Sequence, residues 1–479
     1  MGPSSLIYIP LLSGFIAFFL KGSNGAKTWA LLSSVLTLVV TLILVFQPAG
    51  SNMLHVDAPW LPMLGSRFTL SLDGMGKMLT LLTAVSFPII FAATHTNTYK
   101  DSNAFYGFML LTQAGLMGVF CSMDLLLFYF FWELALIPTY FLCSKWGGEK
   151  RIPVTFKFFI YTFIGSLLML VGILFIYYRT PDQSFAYSSL QHLKLTGSEE
   201  NVMFLLFFVA FAIKMPVFPL HTWQPDTYEQ SPTAVTMVLS GVMVKMGVYG
   251  VMRWLLPIFP NASIKMADII MIFAVVGMIY ASLIAIRQDD IKRLIAYSSI
   301  AHIGLMAASM FTNNVTGMQG VIFQMFAHGV NIIGLWIVVD VIEQQTGTRK
   351  LSELGGLALK SPSLAILFVM MCFANIALPL TNSFVGEFLM FNSVYQHNVW
   401  LGAVAGLSII FAAVYTLWMV QKAFYGEAKE GKTFAIQVPA NTQLMLVILV
   451  IFVVAFGVYP QPMINLTNDT VTKLIAQIK

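Results

Sequence analysis

Charge is what this 479-residue chain has least of: Asp, Glu, Lys and Arg together make up 10% of it, against 58% hydrophobic residues. So little charge, with a mean hydropathy of +0.80, excludes an ordinary soluble globular protein. Cysteine is nearly as scarce. Cys121, Cys143 and Cys372 all lie in or beside apolar stretches without metal-like spacing, so neither a disulfide framework nor a zinc or iron–sulfur site is expected. No glycine-rich loop is placed to cradle phosphates, and the segments between apolar runs are too short for a soluble domain. The N-terminal run Leu6–Leu20 ends at Lys21 instead of a small-residue cleavage site, and is expected to be a first membrane span, not a cleaved signal.

What the chain does have is apolar runs of membrane-spanning length. Spans of about 20 residues are read at 5–21, 28–47, 74–94, 104–122, 124–146, 154–178, 202–226, 233–256, 267–286, 293–311, 317–342, 363–396, 400–425 and 441–463, about fourteen helices in all. The 363–396 segment is too long for one straight crossing and has Pro379 near its centre, which predicts a broken helix with Thr381, Asn382 and Ser383 at the interruption. Placing the N-terminus outside puts about fifteen Lys and Arg in the inward loops, Lys429 and Lys432 among them, and about seven, including Lys479, on the other side. The positive-inside rule therefore orients both termini outward.

Against this background a few ionisable residues stand mid-span. Lys214, Lys245, Glu133 and Glu387 interrupt long apolar stretches, where a lysine costs roughly 2.5 to 3.5 kcal/mol on insertion scales. Each admits a bland reading, a buried counter-ion that fixes helix packing, and Lys77 and Lys157 lie close enough to span ends to snorkel. Acids and bases placed together at mid-span favour a path for protons or another cation. Lys214 precedes Pro216 and Pro219, and Glu133 precedes Pro138. Proline removes a backbone donor, so carbonyls near these charges, those of Ala212, Met215 and Leu134, are released from helix bonding and must be satisfied by protein or water. Gln324, His328 and Asn331 share one helix face, and Ser298 and Ser299 precede His302 by one turn. A neutral imidazole both donates and accepts a proton, which suits these histidines to a relay; the bland reading is hydrogen bonding within the core. A bis-histidine haem is disfavoured because no second His is evident at a suitable place on a neighbouring helix.

Several runs together carry a resemblance: Phe131-Trp-Glu133-Leu; Lys214-Met-Pro216 with Leu220-His-Thr-Trp-Gln-Pro-Asp226; Ser231-Pro-Thr-Ala234; Lys245-Met-Gly-Val-Tyr-Gly250; Asp290-Ile-Lys-Arg-Leu-Ile-Ala-Tyr-Ser-Ser299 with His302; and Phe384-Val-Gly-Glu387-Phe. Over about residues 70–425 the chain resembles the antiporter-like membrane subunits of respiratory complex I, and among them the M-type chains of bacterial proton-pumping NADH:quinone oxidoreductase. The resemblance implies an all-α membrane protein of fourteen helices with two inverted five-helix repeats, each holding a broken helix. Its parts would be an N-terminal three-helix segment (1–103), a first repeat (104–256), a second (257–425) and a C-terminal loop and helix (426–479).

The same resemblance implies a gating ion pair of Glu133 with Lys214, a midplane relay through Lys245 and His302 or His328, and Glu387 as the terminal group toward the outside. It implies no cofactor or metal in this chain, with NADH, flavin, iron–sulfur clusters and quinone handled by partner subunits in a bacterial inner membrane. Expected partners are neighbouring antiporter-like chains, a lateral helix and lipid, and no nucleic acid. The chain departs from the family pattern at Tyr228, where a His is common, and at Val235 and Leu380, where Gly is common. A subunit of a multisubunit sodium/proton antiporter or of a membrane hydrogenase would share the core motifs, and a passive scaffold is the reading from a different class. A scaffold has no need of four costly mid-span charges.

Overall fold

The computed structural model describes residues 2–427 and 437–478; Lys429, Lys432 and Lys479, counted above among the loop charges, lie outside the described residues. The architecture is helical. Among the described residues ten helices are long and apolar enough to cross a membrane, and Pro3–Phe19 and Pro362–Asn375 are shorter apolar helices. Every span read from the sequence falls on helix, and two are split. Burial sorts them: Thr233–Ile258 and Val315–Thr346 are wholly enclosed, whereas Ala440–Val458 keeps most of its apolar surface outward. An apolar outward face is what lipid requires, and a helix apolar all round belongs at the centre of the bundle.

The first split follows Gly197–Lys214 and ends where the short helix Trp223–Gln230 begins. Pro216 and Pro219 forbid continuous helix here. Two carbonyls at the break find new donors. Val217 N donates to Ala212 O at 3.0 Å, and the Trp223 indole donates to Ile213 O at 3.0 Å. The second split separates Pro362–Asn375 from Asn382–His397 and has the same kind of closure, Leu378 N donating to Phe373 O at 3.0 Å. Its turn runs through left-handed backbone at Ala377 (φ +55°) and Leu380 (φ +74°). The Leu380 carbonyl lies so close to Gly457 that a Cβ added there would sit 2.2 Å from it, so only glycine lets Ala440–Val458 pass. Pro138, by contrast, leaves Leu125–Trp146 continuous.

Besides short turns of helix, a hairpin and a C-terminal helix went unread in the sequence. His55–Leu61 and Ser66–Ser71 pair as an antiparallel hairpin in which Asp57 faces Thr69. Arg67 grips Asp57 with contacts of 2.6–3.1 Å, and with the Thr69 hydroxyl it draws the Asp57 carboxyl down to about 2. The other is Gln461–Ile478, a helix that buries Met463, Thr467, Val471, Leu474, Ile475 and Ile478 at three- and four-residue spacing. It packs across Val315–Thr346 and Gly74–Ala93. Too polar to read as a span, it lies along the bundle on one apolar stripe.

A non-glycine residue in left-handed backbone costs roughly 1–2 kcal/mol. Leu380→Gly is therefore expected to raise the thermal midpoint of the assembled protein, and Leu380→Val, β-branched, to lower it. A Val variant as stable as the Gly variant would show that the turn is not strained.

Candidate functional site

Lys245 sits in the enclosed helix Thr233–Ile258, between two wider turns of π-helix at Leu239–Met243 and Val251–Leu255. Such turns leave a carbonyl free of its usual partner and occur often at functional sites. The carbonyl of Ser240 takes the first bond from Lys245 Nζ at 2.7 Å. His328 takes the second, with Nδ1 2.8 Å from the same nitrogen. The other ring nitrogen of His328, Nε2, lies 3.2 Å from Ser299 Oγ. An ammonium has only donors, so with Lys245 charged His328 Nδ1 accepts and its Nε2 carries the proton that faces Ser299.

The file continues into the second half of the chain. The His302 and His328 ring centres are 5.6 Å apart. His302 Nδ1 reaches Glu387 Oε1 at 2.9 Å, and Gln324 Nε2 donates to the same oxygen at 3.2 Å. Asn331 Nδ2 donates to Ser383 Oγ at 2.7 Å, which ties the shared face of Gln324, His328 and Asn331 to the helix that begins beyond the second break. Lys245, His328, His302 and Glu387 are all buried. The two histidines do lie side by side on neighbouring helices, contrary to the sequence expectation. Both nitrogens of His328 are already engaged by Lys245 and Ser299, which leaves neither free to bind a haem iron.

Lys214 occupies the last position of Gly197–Lys214, at the mouth of the first break. Its Nζ makes no hydrogen bond and stands 5.5 Å from the centre of the Trp132 ring, a cation–π placement. Glu133, next to that tryptophan, has one carboxylate oxygen without a partner; Tyr129, Ser166 and the charge of Lys214 are in its surroundings. The buried Lys214 and the half-buried Glu133 are neighbours without forming an ion pair. Gly247, two residues beyond Lys245, presses on Phe211 O and Met215 N so closely that an added Cβ would lie 2.6 and 2.7 Å away. That contact brings the Lys245 helix against the backbone that carries Lys214.

The segment after the first break is held from its polar end. Lys157 reaches Thr222 O and Asp226, each at 2.8 Å. Arg293 pairs with Asp226 at 3.0 Å and Glu229 at 2.8 Å, and Arg349 pairs with Glu229 at 3.0 Å and Asp290 at 2.6 Å. Tyr228, standing where a His was expected, is fully buried edge-on to Trp336. Sequence reasoning missed Trp132 as the group facing Lys214, although its place beside Glu133 was a usable signal. The Ser240 carbonyl had none, because a π-turn leaves no mark in residue type. Among the described residues no three His, Cys, Asp or Glu side chains gather as a metal site.

Residues 122–412 match the family described as NADH:quinone oxidoreductase/Mrp antiporter, transmembrane. NADH-quinone oxidoreductase subunit M of Rhodobacter capsulatus is 36% identical, over 98% of this chain and 96% of the relative. Among solved structures, a chain of respiratory complex I from Thermus thermophilus superposes with a TM-score of 0.89 at 28% identity, covering 98% of this chain and 99% of that one. A chain of the Mrp complex from Dietzia sp. shares the fold, with a TM-score of 0.88 at 19% identity over 99% of this chain and 98% of the other. The fold with its two broken helices, the buried Lys–His–His–Glu file and these similarities together place the chain in the family of antiporter-like membrane subunits shared by NADH:quinone oxidoreductase and Mrp antiporters, among the M-type chains of complex I.

Proposed function

We propose that this chain moves protons across the membrane as the M-type subunit of a bacterial NADH:quinone oxidoreductase, driven by redox chemistry in its partner subunits. The observation that carries the reading is the buried succession from Lys245 through His328 and His302 to Glu387, built on contacts of 2.8 Å and 2.9 Å around a ring-to-ring step of 5.6 Å. A structural ion pair would need two of these residues. Four in succession, with Ser299 and Gln324 at the sides, supply donors and acceptors for transfer along the bundle.

Glu133 and Lys214 are the input. When Glu133 approaches Lys214 its charge holds the proton there; when it withdraws, the proton passes toward Lys245, whose helix abuts the same break. His328 accepts at Nδ1 and releases from Nε2, His302 receives, and Glu387 discharges toward the outside. Each step is a redistribution of charge that a moved partner drives. NADH, flavin, iron–sulfur clusters and quinone belong to partner subunits, and neighbouring antiporter-like chains, a lateral helix and lipid complete the surroundings in the bacterial cytoplasmic membrane.

In this reading the chain crosses fourteen times with both termini outside, and 104–256 and 257–425 are inverted repeats. Support comes from the loop charges and from one broken helix in each half, the expected pointer to a transport site. An Mrp-type sodium/proton antiporter subunit is the second reading, favoured by the shared fold with the Dietzia chain. The much higher identity to the M subunits favours the first, and NADH oxidation by the purified assembly decides between them.

Proteoliposomes carrying the assembled complex are expected to pump fewer protons per electron with Glu133→Ala, Lys214→Ala or Glu387→Ala, and to oxidise NADH more slowly because the two are coupled. Full pumping in all three variants would sink the assignment. His328→Asn keeps a hydrogen-bonding atom near Lys245 but cannot release a proton on its far side, so it too should lose pumping while the complex still assembles. For orientation, an impermeant thiol reagent added to intact cells should label Lys265→Cys and spare Arg287→Cys, since both positions are exposed and the three native cysteines are buried. The opposite pattern would invert the topology.

A further inference from the structure

A cavity of about 580 Å³ lies between the loop that leads into the hairpin, the start of Gly74–Ala93 and the C-terminal helix Gln461–Ile478. No member of the proton file lines it. Its walls carry three cations, Lys77, Arg253 and Lys473, against two carboxylates, Asp73 and Asp469. Two of those cations are deeply buried: Lys77 is 5% exposed and Arg253 7%.

Their bonding is incomplete. Lys77 Nζ donates to Gln47 O at 2.6 Å, and among the described residues no carboxylate lies within ion-pair distance of it, although an ammonium offers three donors. Arg253 gives one nitrogen to Asp73 at 2.5 Å and another to Tyr249 Oη at 3.3 Å and lies against Tyr187, which does not exhaust its five-donor fork. A buried cation without a counter-ion is strongly unfavourable, and Asp73, the carboxylate paired with Arg253, cannot neutralise both buried cations. The cavity is of ligand size and asks for an anion with several acceptor oxygens.

Its surroundings indicate which anion. Val45 and Gln47, at the end of the Ser23–Val45 helix, form part of the wall. The same helix end presents Leu42, Ile43 and Phe46 to the outside, Phe46 at 82% exposure. An apolar ridge thus leads directly to a polar, cationic recess, the layout of a lipid with its tail along a span and its headgroup in a protein pocket. We propose that this cavity binds the phosphate-bearing headgroup of an anionic phospholipid, with Lys77 and Arg253 as the phosphate-binding cations and an acyl chain lying along Ser23–Val45.

The assembled complex, with Gln477→Cys on the cavity wall carrying an environment-sensitive fluorophore, provides the test. Purified in detergent, it should respond saturably to phosphatidylglycerol presented in phosphatidylcholine vesicles, and not to phosphatidylcholine alone. Lys77→Met should weaken the response by about tenfold, the scale of a lost charge-assisted bond, and Lys77→Arg should restore it. Inorganic phosphate should fail to reproduce the signal. No saturable response in the parent complex, or an unchanged one in Lys77→Met at equal thermal stability, would overturn the proposal. So would an equal response to inorganic phosphate, which would make this a free-anion site, or carbodiimide coupling of Lys77 to a carboxylate of a neighbouring subunit, which would make it a protein contact.

Discussion

The side-chain nitrogen of Lys245 must be satisfied without bulk water, and much of the bundle is arranged around that requirement. An unpaired buried charge is far more costly than any single packing defect. The chain meets the demand with a π-turn that frees the Ser240 carbonyl and with His328 from the enclosed helix Val315–Thr346. Everything next in the file depends on this placement. Ser299 can meet His328 only because Ile291–Met310 lies against the same helix, and His302, one turn further on, then falls beside Glu387. A hydrophobic residue at Lys245 would pack more cheaply, so Lys245 is one of the few costly polar positions inside this apolar bundle.

The two breaks serve this file from opposite ends. At each break a backbone N–H from five residues on takes up a carbonyl, Ala212 O at the first and Phe373 O at the second, and the Trp223 indole takes up Ile213 O. The breaks are therefore structured turns. They place Lys214 at the end of one half-helix and Ser383 and Glu387 near the start of another, where side chains from the enclosed helices can reach them.

Much of this was legible in the sequence, for physical reasons. Apolar runs of bilayer length are a strong signal, and every one of them fell on helix. Mid-span charges are rare enough that Lys214, Lys245, Glu133 and Glu387 identified themselves, and four-residue spacing placed Gln324 and His328 on one face. Three things stayed hidden. The nearness of His302 to His328 is a tertiary fact that spacing along the chain does not encode. The hairpin at 55–71 alternates outward and inward residues along His55–Leu61, but the run is short and its Asp57 to Arg67 contact crosses strands, and the C-terminal helix is too polar to stand out as a membrane span. Leu380 is the instructive case: its departure from glycine was visible in the sequence, but that it is a left-handed residue is known only from its φ of +74°.

How the two breaks are braced sets them apart mechanically. The segment after the first is tied down by Lys157, Arg293 and Arg349 acting on Asp226 and Glu229, half-buried charges near the polar end of the bundle. The second is wedged by the close approach of Gly457 to the Leu380 carbonyl, a steric contact. Charges near water are weakened by dissolved ions, and packed atoms are not. The halves of this bundle thus have unequal compliance: ionic strength softens the mounting of Lys214 and leaves that of Glu387 rigid, so the Lys214 end yields more easily than the Glu387 end.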